Sequence, residues 1–289
     1  NCNGTMVYTF TYKDCAGHSH DWTYTYTIDV PAVTLPAAGS STVACPADAV
    51  APTVPAVTDN CGRTLTPSAP VVSADPACAG TKTYTYTFTA CDGKTYDWVF
   101  TYTIKPIAPQ ITSCPANVIS CQTEAGTYVI PTLTATDNCG KPITITYDIT
   151  GATVRNGTGD ASGAFGVGTS IIVWTVTNGC ATTTCTTTVT INPLPAPTIT
   201  PSQDPVCANT GTVTYSTPQV GCNTYSWTIS GGGTIIGSST GNSIVVQWTT
   251  AGVKTVTVTE TMCGTGCTKT VSKDFTVNPK PITTPITHD

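Results

Sequence analysis

Residues 78–104 read CAGTKTYTYTFTACDGKTYDWVFTYTI, and residues 2–28 read CNGTMVYTFTYKDCAGHSHDWTYTYTI. At a constant offset of about 76 the two coincide at Cys2/Cys78, Gly4/Gly80, Cys15/Cys91, Gly17/Gly93, Asp21/Asp97, Trp22/Trp98 and Ile28/Ile104. Within each copy the period is two. In Thr83–Thr89 the aromatics fill one face and threonines the other, and Phe100, Tyr102 and Ile104 alternate with Thr101 and Thr103. The Asp92-Gly93 step between the two runs is a hairpin signal. A further echo, TDNCG, stands at 58–62 and again at 136–140. The chain therefore reads as a tandem array of strand-built units.

The composition agrees. Of 289 residues, 64 are threonine and only 9% are charged, against about 25% in an ordinary soluble domain. Threonine is β-branched and suits a pleated, half-wet surface, whereas Leu, Met, Glu and Lys are scarce. An all-β fold is expected, and strands of this length between turn clusters indicate stacked β-sandwiches. Eleven Lys+Arg against sixteen Asp+Glu leave no basic footprint for nucleic acid. No stretch approaches the ~18 consecutive apolar residues of a membrane helix. Fifteen cysteines with almost no C-x-x-C spacing point to disulfides made outside the cytosol rather than to zinc.

Proline-rich joints set the expected boundaries: Val30-Pro31, Lys105–Pro109, Asn192–Pro197 and Asn278–Pro281. Proline cannot donate to a sheet ladder and fixes φ, so such joints act as semi-rigid spacers. The units expected are 1–30, the C-terminal part of an incomplete repeat, then 31–106, 107–192 and 193–278, with 279–289 as a linker to a next unit.

Cysteine placement yields a pairing scheme. If 82–90 is one strand, Cys78 and Cys91 lie at its opposite ends, roughly 40 Å apart at ~3.3 Å per residue, while a disulfide needs Cα atoms within ~7 Å. That excludes Cys78–Cys91 and the Cys45–Cys61 pair it would force. The expected pairs are Cys45–Cys78 and Cys61–Cys91, which would staple the Asp-Asn-Cys-Gly turn to the hairpin turn. In 107–192, Cys121 aligns with Cys45 and Cys139 with Cys61, giving Cys139–Cys180 and Cys121–Cys185. Cys114 is left odd, either bridging to a neighbour or an inert thiol. Cys207, Cys222, Cys263 and Cys267 remain unresolved. Cys2 and Cys15 also flank one strand, so their partners are expected outside this segment. Either the chain is a window on a longer polypeptide, or another chain completes the first sandwich by strand addition.

The third unit, with SCPANVIS, ATDNCG and GAFGVGTSIIVWTVTNGCATTTCTTTVTI, resembles the hyalin-repeat family of Ig-like domains. Unit 31–106 resembles a shorter relative of the same family. The fourth, YSWTISGGGTIIGSSTGNSIVVQWTTAGVKTVTVTE, resembles PKD-like domains of Bacteroidota surface proteins. The resemblance implies tandem Ig-like sandwiches in a long, secreted cell-surface protein such as a gliding adhesin. An acidic loop cluster of the kind that binds Ca²⁺ between cadherin repeats is not seen in the sequence.

Sites with catalytic or binding precedent read more simply as structure. Gly237–Gly241 matches G-x-S-x-G, but that motif needs a strand-to-helix turn and a histidine base, and the one histidine downstream is His288. His18, His20 and Asp21 are the place for a metal, yet the repeat carries Lys94 and Tyr96 in place of the histidines. Asp59-Asn60 and Asp137-Asn138 offer oxygens for Ca²⁺, and side chains of this type more commonly cap their own turns. Asn3-Gly4-Thr5 and Asn156-Gly157-Thr158 are glycosylation sequons, read as exposed loops. Trp22, Trp98, Trp174, Trp227 and Trp248 sit in alternating strands and are expected in the core rather than on a sugar.

The sequence thus predicts a non-catalytic structural segment of an extracellular, cell-surface filament or adhesin stalk. No cofactor, metal, nucleic acid or membrane span is expected. Its partners would be neighbouring repeats, and weakly charged strand edges favour self-association. The alternative is a carbohydrate- or protein-binding module of a secreted multidomain protein.

Overall fold

Strands dominate because the alternating Thr/aromatic pattern leaves each run one dry face and one wet face. The structure, a computed structural model, describes residues 2–280. Most of the expected linker, 281–289 with His288, lies outside the described residues. Among those described, the one helical element is a 3-10 turn at Pro46–Asp48. The protein is an all-β, disulfide-stapled tandem of Ig-like β-sandwich repeats. Its contacts divide it into two compact units. The first runs through Ser113 and takes in Thr134–Ile145 and Thr175–Thr184. The second holds Cys114–Leu133, Thr146–Trp174 and the chain from Cys185.

In the first unit, Gly80–Thr89 and Thr95–Ile104 form a ten-pair antiparallel hairpin that sets Tyr84 opposite Phe100 and Tyr86 opposite Trp98. Gly93, at φ +84°, makes the turn in a conformation that favours glycine. Gly39–Val43 adds a parallel strand to Thr95–Ile104, and Val71–Val72 pairs with Gly80–Thr89, giving four strands. Residues 33–65 close the inner face. Val33, Leu35, Ala49, Val54, Val57 and Leu65 pack on Tyr84, Tyr86, Phe88 and Trp98. Tyr84 Oη donates to Ala49 O at 2.6 Å, and Trp98 Nε1 to Ala37 O at 3.0 Å. The rings are thus buried without stranding their polar atoms, each burial stabilising by roughly 1.5–3 kcal/mol.

The hairpin Gly4–Lys13 with Ser19–Ile28 keeps the same register, Tyr8 opposite Tyr24 and Phe10 opposite Trp22. It is a two-stranded sheet. Trp22 is 52% exposed, against 5% for Trp98. The expectation that Trp22 is a core residue is therefore corrected: none of the described residues covers it as 33–65 cover Trp98.

A five-stranded sheet has the order Val118–Cys121, Thr182–Asn192, Gly168–Thr177, Thr144–Gly151, Arg155–Thr158. Trp174 is fully buried and donates to Thr187 Oγ1 at 3.0 Å. Farther along the chain two four-stranded sheets face each other. One is Thr200–Pro201, Thr212–Ser216, Ser243–Trp248, Gly233–Ile236; the other is Val206–Cys207, Thr268–Asn278, Gly252–Thr261, Thr224–Ile229. Tyr215, Trp227, Trp248, Val256 and Val258 fill the space between them. Trp227 Nε1 donates to Gly241 O and Trp248 Nε1 to Tyr215 Oη. On the wet face, threonine hydroxyls make the cross-strand bonds: Thr255 Oγ1 donates to Asp274 Oδ1, and Thr257–Ser272 and Thr259–Thr270 are hydroxyl pairs.

Candidate functional site

The hairpin's two ends fix where cysteines can react. Its open end lies where Gly80 and Val43 both pair with Ile104, so Cys78 and Cys45 belong to that end. Its turn end holds Cys91, with Arg63 Nη2 3.3 Å from Cys91 Sγ and Cys61 in the same loop as Arg63. Residues at one end face the adjoining repeat, and the bridges follow that logic. Cys2 pairs with Cys91, Cys45 with Cys139 and Cys78 with Cys180, at Cα separations of 5.5, 5.4 and 5.3 Å. Within the second unit the pairs are Cys114–Cys185, Cys121–Cys267 and Cys222–Cys263. Cys15, Cys61 and Cys207 have no bridge.

These bridges correct the pairing read from sequence. Cys45–Cys78 and Cys61–Cys91 do not form, nor do Cys139–Cys180 and Cys121–Cys185. Cys114 is not odd, and Cys2 finds its partner inside the chain. Strand length sorts the cysteines to the correct ends. Cys45 and Cys78 share one end but bond Cys139 and Cys180 beyond their own hairpin rather than each other. The loops closed are 89–102 residues long for the first three bridges, a length worth roughly 4–5 kcal/mol each in the chain-entropy account.

The first unit contains the best-defined joint. Lys141 Nζ donates to Ala77 O at 2.7 Å, next to Cys78–Cys180, and Asn178 Nδ2 donates to Ile107 O at 3.2 Å. Asn178 Nδ2 also donates to Asp137 Oδ1 at 2.6 Å, while Asp137 Oδ2 accepts the Cys139 and Lys141 amides at 2.9 Å. The Asn178 amide, then the Lys141 N–H, hold the Asp137 carboxyl below its ordinary pKa against an opposing desolvation penalty. Asp59 does the same in the repeated TDNCG turn. Burial pushes its carboxyl up, but the Arg63 and Cys61 amides and the Arg63 guanidinium outweigh that and lower it. Both carboxylates are consumed by turn capping. Asn178, Lys141 and Arg63 carry no sequence signal of their own; the TDNCG echo marks the turn but not the residues that grip it from elsewhere.

Elsewhere the chemistry is similarly occupied. Asp14 takes the His18 ring and the Ala16 and His18 amides, and Asp21 accepts from Thr11 Oγ1. Among the described residues no cluster of three or more His, Cys, Asp or Glu has metal-site geometry. Ser239, in Gly237–Gly241, gives its carbonyl to the Trp227 amide beside a short β-bridge, with no helix following. Asn3 is exposed, and Asn156 is exposed on the strand Arg155–Thr158 rather than in a loop. No helix among the described residues is long and apolar enough to cross a membrane. Buried Glu260 is held by Asn223 Nδ2 at 2.7 Å and Tyr225 Oη at 3.3 Å, next to Cys222–Cys263.

Repeats built in this way have counterparts among known proteins. Residues 1–28 and 33–104 match the family model of an HYR-like domain with 4 cysteines. Residues 192–277 match that of a PKD-like domain. No match was found among curated proteins. Among solved structures, the chain is similar to protocadherin Gamma B7 extracellular cadherin domains 1–4, at 12% identity and TM-score 0.37, covering 96% of this chain and 92% of that one. Drosophila N-cadherin EC1–4 matches at 11% and 0.37, over 97% and 84%. Sidekick-1 immunoglobulin domains 1–4 match at 12% and 0.31, over 95% and 82%.

Proposed function

We propose that this chain is a non-catalytic structural segment of a repetitive extracellular filament or adhesin stalk, of the kind carried by secreted cell-surface proteins of Bacteroidota, with 31–106, 107–192 and 193–278 as its repeats. One observation carries the reading: the bridges interlock from repeat to repeat. Cys2–Cys91, Cys78–Cys180, Cys114–Cys185 and Cys121–Cys267 form a covalent bypass. Going from Cys2 to Cys267 by the shortest covalent route crosses only about 25 residues of backbone. Stretched at ~3.6 Å per residue, with the bridges added, that is roughly 11 nm, against about 95 nm along the reduced chain. A segment built this way bears load without lengthening, which suits a stalk.

Single-molecule pulling between handles on the residues next to Cys2 and Cys267 tests it. In oxidising buffer the extension should stop near 11 nm, and with dithiothreitol it should approach 95 nm. Full-length extension of the oxidised chain would remove the mechanical basis of the stalk. The binding-module reading has its own support, the exposed Trp22 stacked on Tyr24 at 5.8 Å. A glycan whose binding is lost in Trp22→Ala would favour it.

A further inference from the structure

The first hairpin leaves its apolar face uncovered. Tyr8, Phe10, Tyr12, Trp22, Tyr26 and Ile28 are 39–60% exposed, while their counterparts Tyr84, Tyr86, Phe88, Trp98, Tyr102 and Ile104 are 1–8% exposed. The bare rings line an apolar trough of about 650 Å³. Both outer edges of the hairpin are unpaired among the described residues, whereas Thr95–Ile104 receives the parallel strand Gly39–Val43. An independent observation, on a different element, points the same way. Where repeat 31–106 meets the loops of 107–192, two bridges close the joint, Cys78–Cys180 and Cys45–Cys139. Where the first hairpin meets repeat 31–106, only the counterpart of the first bridge exists, Cys2–Cys91. The TDNCG cysteine that would make the other, Cys61, is exposed and free. Its twin Cys139 bonds Cys45, which lies in the segment covering the 80–104 hairpin.

We propose that the inner face of the first hairpin and the Cys61 thiol together dock one occupant: an extended, weakly charged polypeptide segment of the chemistry of residues 31–76, with a cysteine at the place of Cys45. It adds a parallel strand to Ser19–Ile28, buries the aromatic row and bonds Cys61. A sugar would cover the rings yet leave the strand edge and the thiol unpaired. The bond requires an oxidant. With glutathione disulfide, two thiols give up two protons and two electrons, the protein S–S bond forms, and two reduced glutathione molecules leave. The occupant is required whether or not the array bears load.

The test fuses a second copy of residues 31–76 directly before residue 1 of the full chain, which reproduces the spacing between 76 and 77, and compares it with a scrambled fusion. Hydroxyl-radical labelling of Trp22 and Tyr24 should fall at least fivefold in the true fusion only. Non-reducing peptide mapping after treatment with glutathione disulfide should find the added cysteine on Cys61. In the Cys61→Ser fusion the protection should persist without the bond. Equal labelling in both fusions overturns the proposal. So does protection that vanishes with Cys61→Ser, or an unfused chain whose face is already covered in a dimer abolished by Trp22→Ser.

Discussion

The hairpins at 4–28 and 80–104 share a register and even a cross-strand pair, Thr11 Oγ1 on Asp21 at 2.6 Å and Thr87 Oγ1 on Asp97 at 2.7 Å. One is nevertheless bare on both faces and the other is the floor of a core. Alternation therefore encodes the strand and its amphipathic face, but not the fate of that face. What buries Trp98 is a separate stretch, 33–65, that is neither aromatic nor strictly alternating. It is rich in Val, Ala and Pro, and it reaches the hairpin through a parallel strand and two hydrogen bonds to main-chain carbonyls. An isolated two-stranded hairpin is marginal in water. The first hairpin therefore leans on Cys2–Cys91 for its position, while the 80–104 hairpin leans on packing.

Truncating matched rings gives the sharpest contrast. Phe88→Ala should cost about 3–5 kcal/mol, because a ring 1% exposed leaves a cavity that its neighbours cannot refill. Tyr12→Ala, at the equivalent position and 60% exposed, should stay within about 0.5 kcal/mol. Calorimetric melting under non-reducing conditions measures both. Equal costs would mean that the two faces are equally buried in solution and that the contrast between the hairpins is false.

The bridges extend the same contrast at somewhat smaller amplitude. Removing Cys78–Cys180 as the Ala/Ala pair should destabilise by roughly 2–4 kcal/mol, less than an isolated bridge of that span because Cys45–Cys139 still closes an overlapping loop. Removing Cys2–Cys91 in the same way should cost the first unit's melting transition less than about 1 kcal/mol, because a bare hairpin contributes little cooperative structure at its end of the loop. If the Cys2–Cys91 deletion proved the costlier, the hairpin would have to be packed after all.

Which parts of this were legible follows from range. Thr83–Thr89 and Phe100–Ile104 announce their strands by period two, and Asp92-Gly93 their turn, because those signals are local. The assignment of cysteines to hairpin ends was also legible, because strand length fixes it. Pairing across repeats was not, since it depends on which end of one repeat meets which end of the next, a relation that no local pattern records. The exposure of Trp22 was hidden for the same reason. Its own strand is indistinguishable from that of Trp98, and the difference lies in a covering segment tens of residues away. Similarly, Asp137 was legible as a turn residue, but the Asn178 side chain that grips it comes from 41 positions along the chain.

The smallest effect concerns those gripped carboxylates and acts through pH. Asp137 is lowered by Asn178 and by the Lys141 and Cys139 amides, Asp14 by the His18 ring and nearby amides. A carboxylate with a depressed folded-state pKa stabilises fully above its unfolded value, near 3.9, and loses that contribution as pH falls through the folded value. Both turns should therefore loosen only below about pH 4. The consequences differ between the two places. Protonating Asp137 weakens a turn that holds Cys139 and, through Asn178, the Ile107 carbonyl, so the first unit's melting temperature should drop as pH falls below about 4. Protonating Asp14 frees an exposed turn on which nothing else rests, so Asp14→Asn should leave that profile unchanged. Asp137→Asn should flatten it, since the amide has no proton to gain over this range. Parallel pH profiles for wild type and Asp137→Asn would show that the acid sensitivity resides elsewhere, and that the turn is held by its disulfide-linked cysteines rather than by its carboxylate.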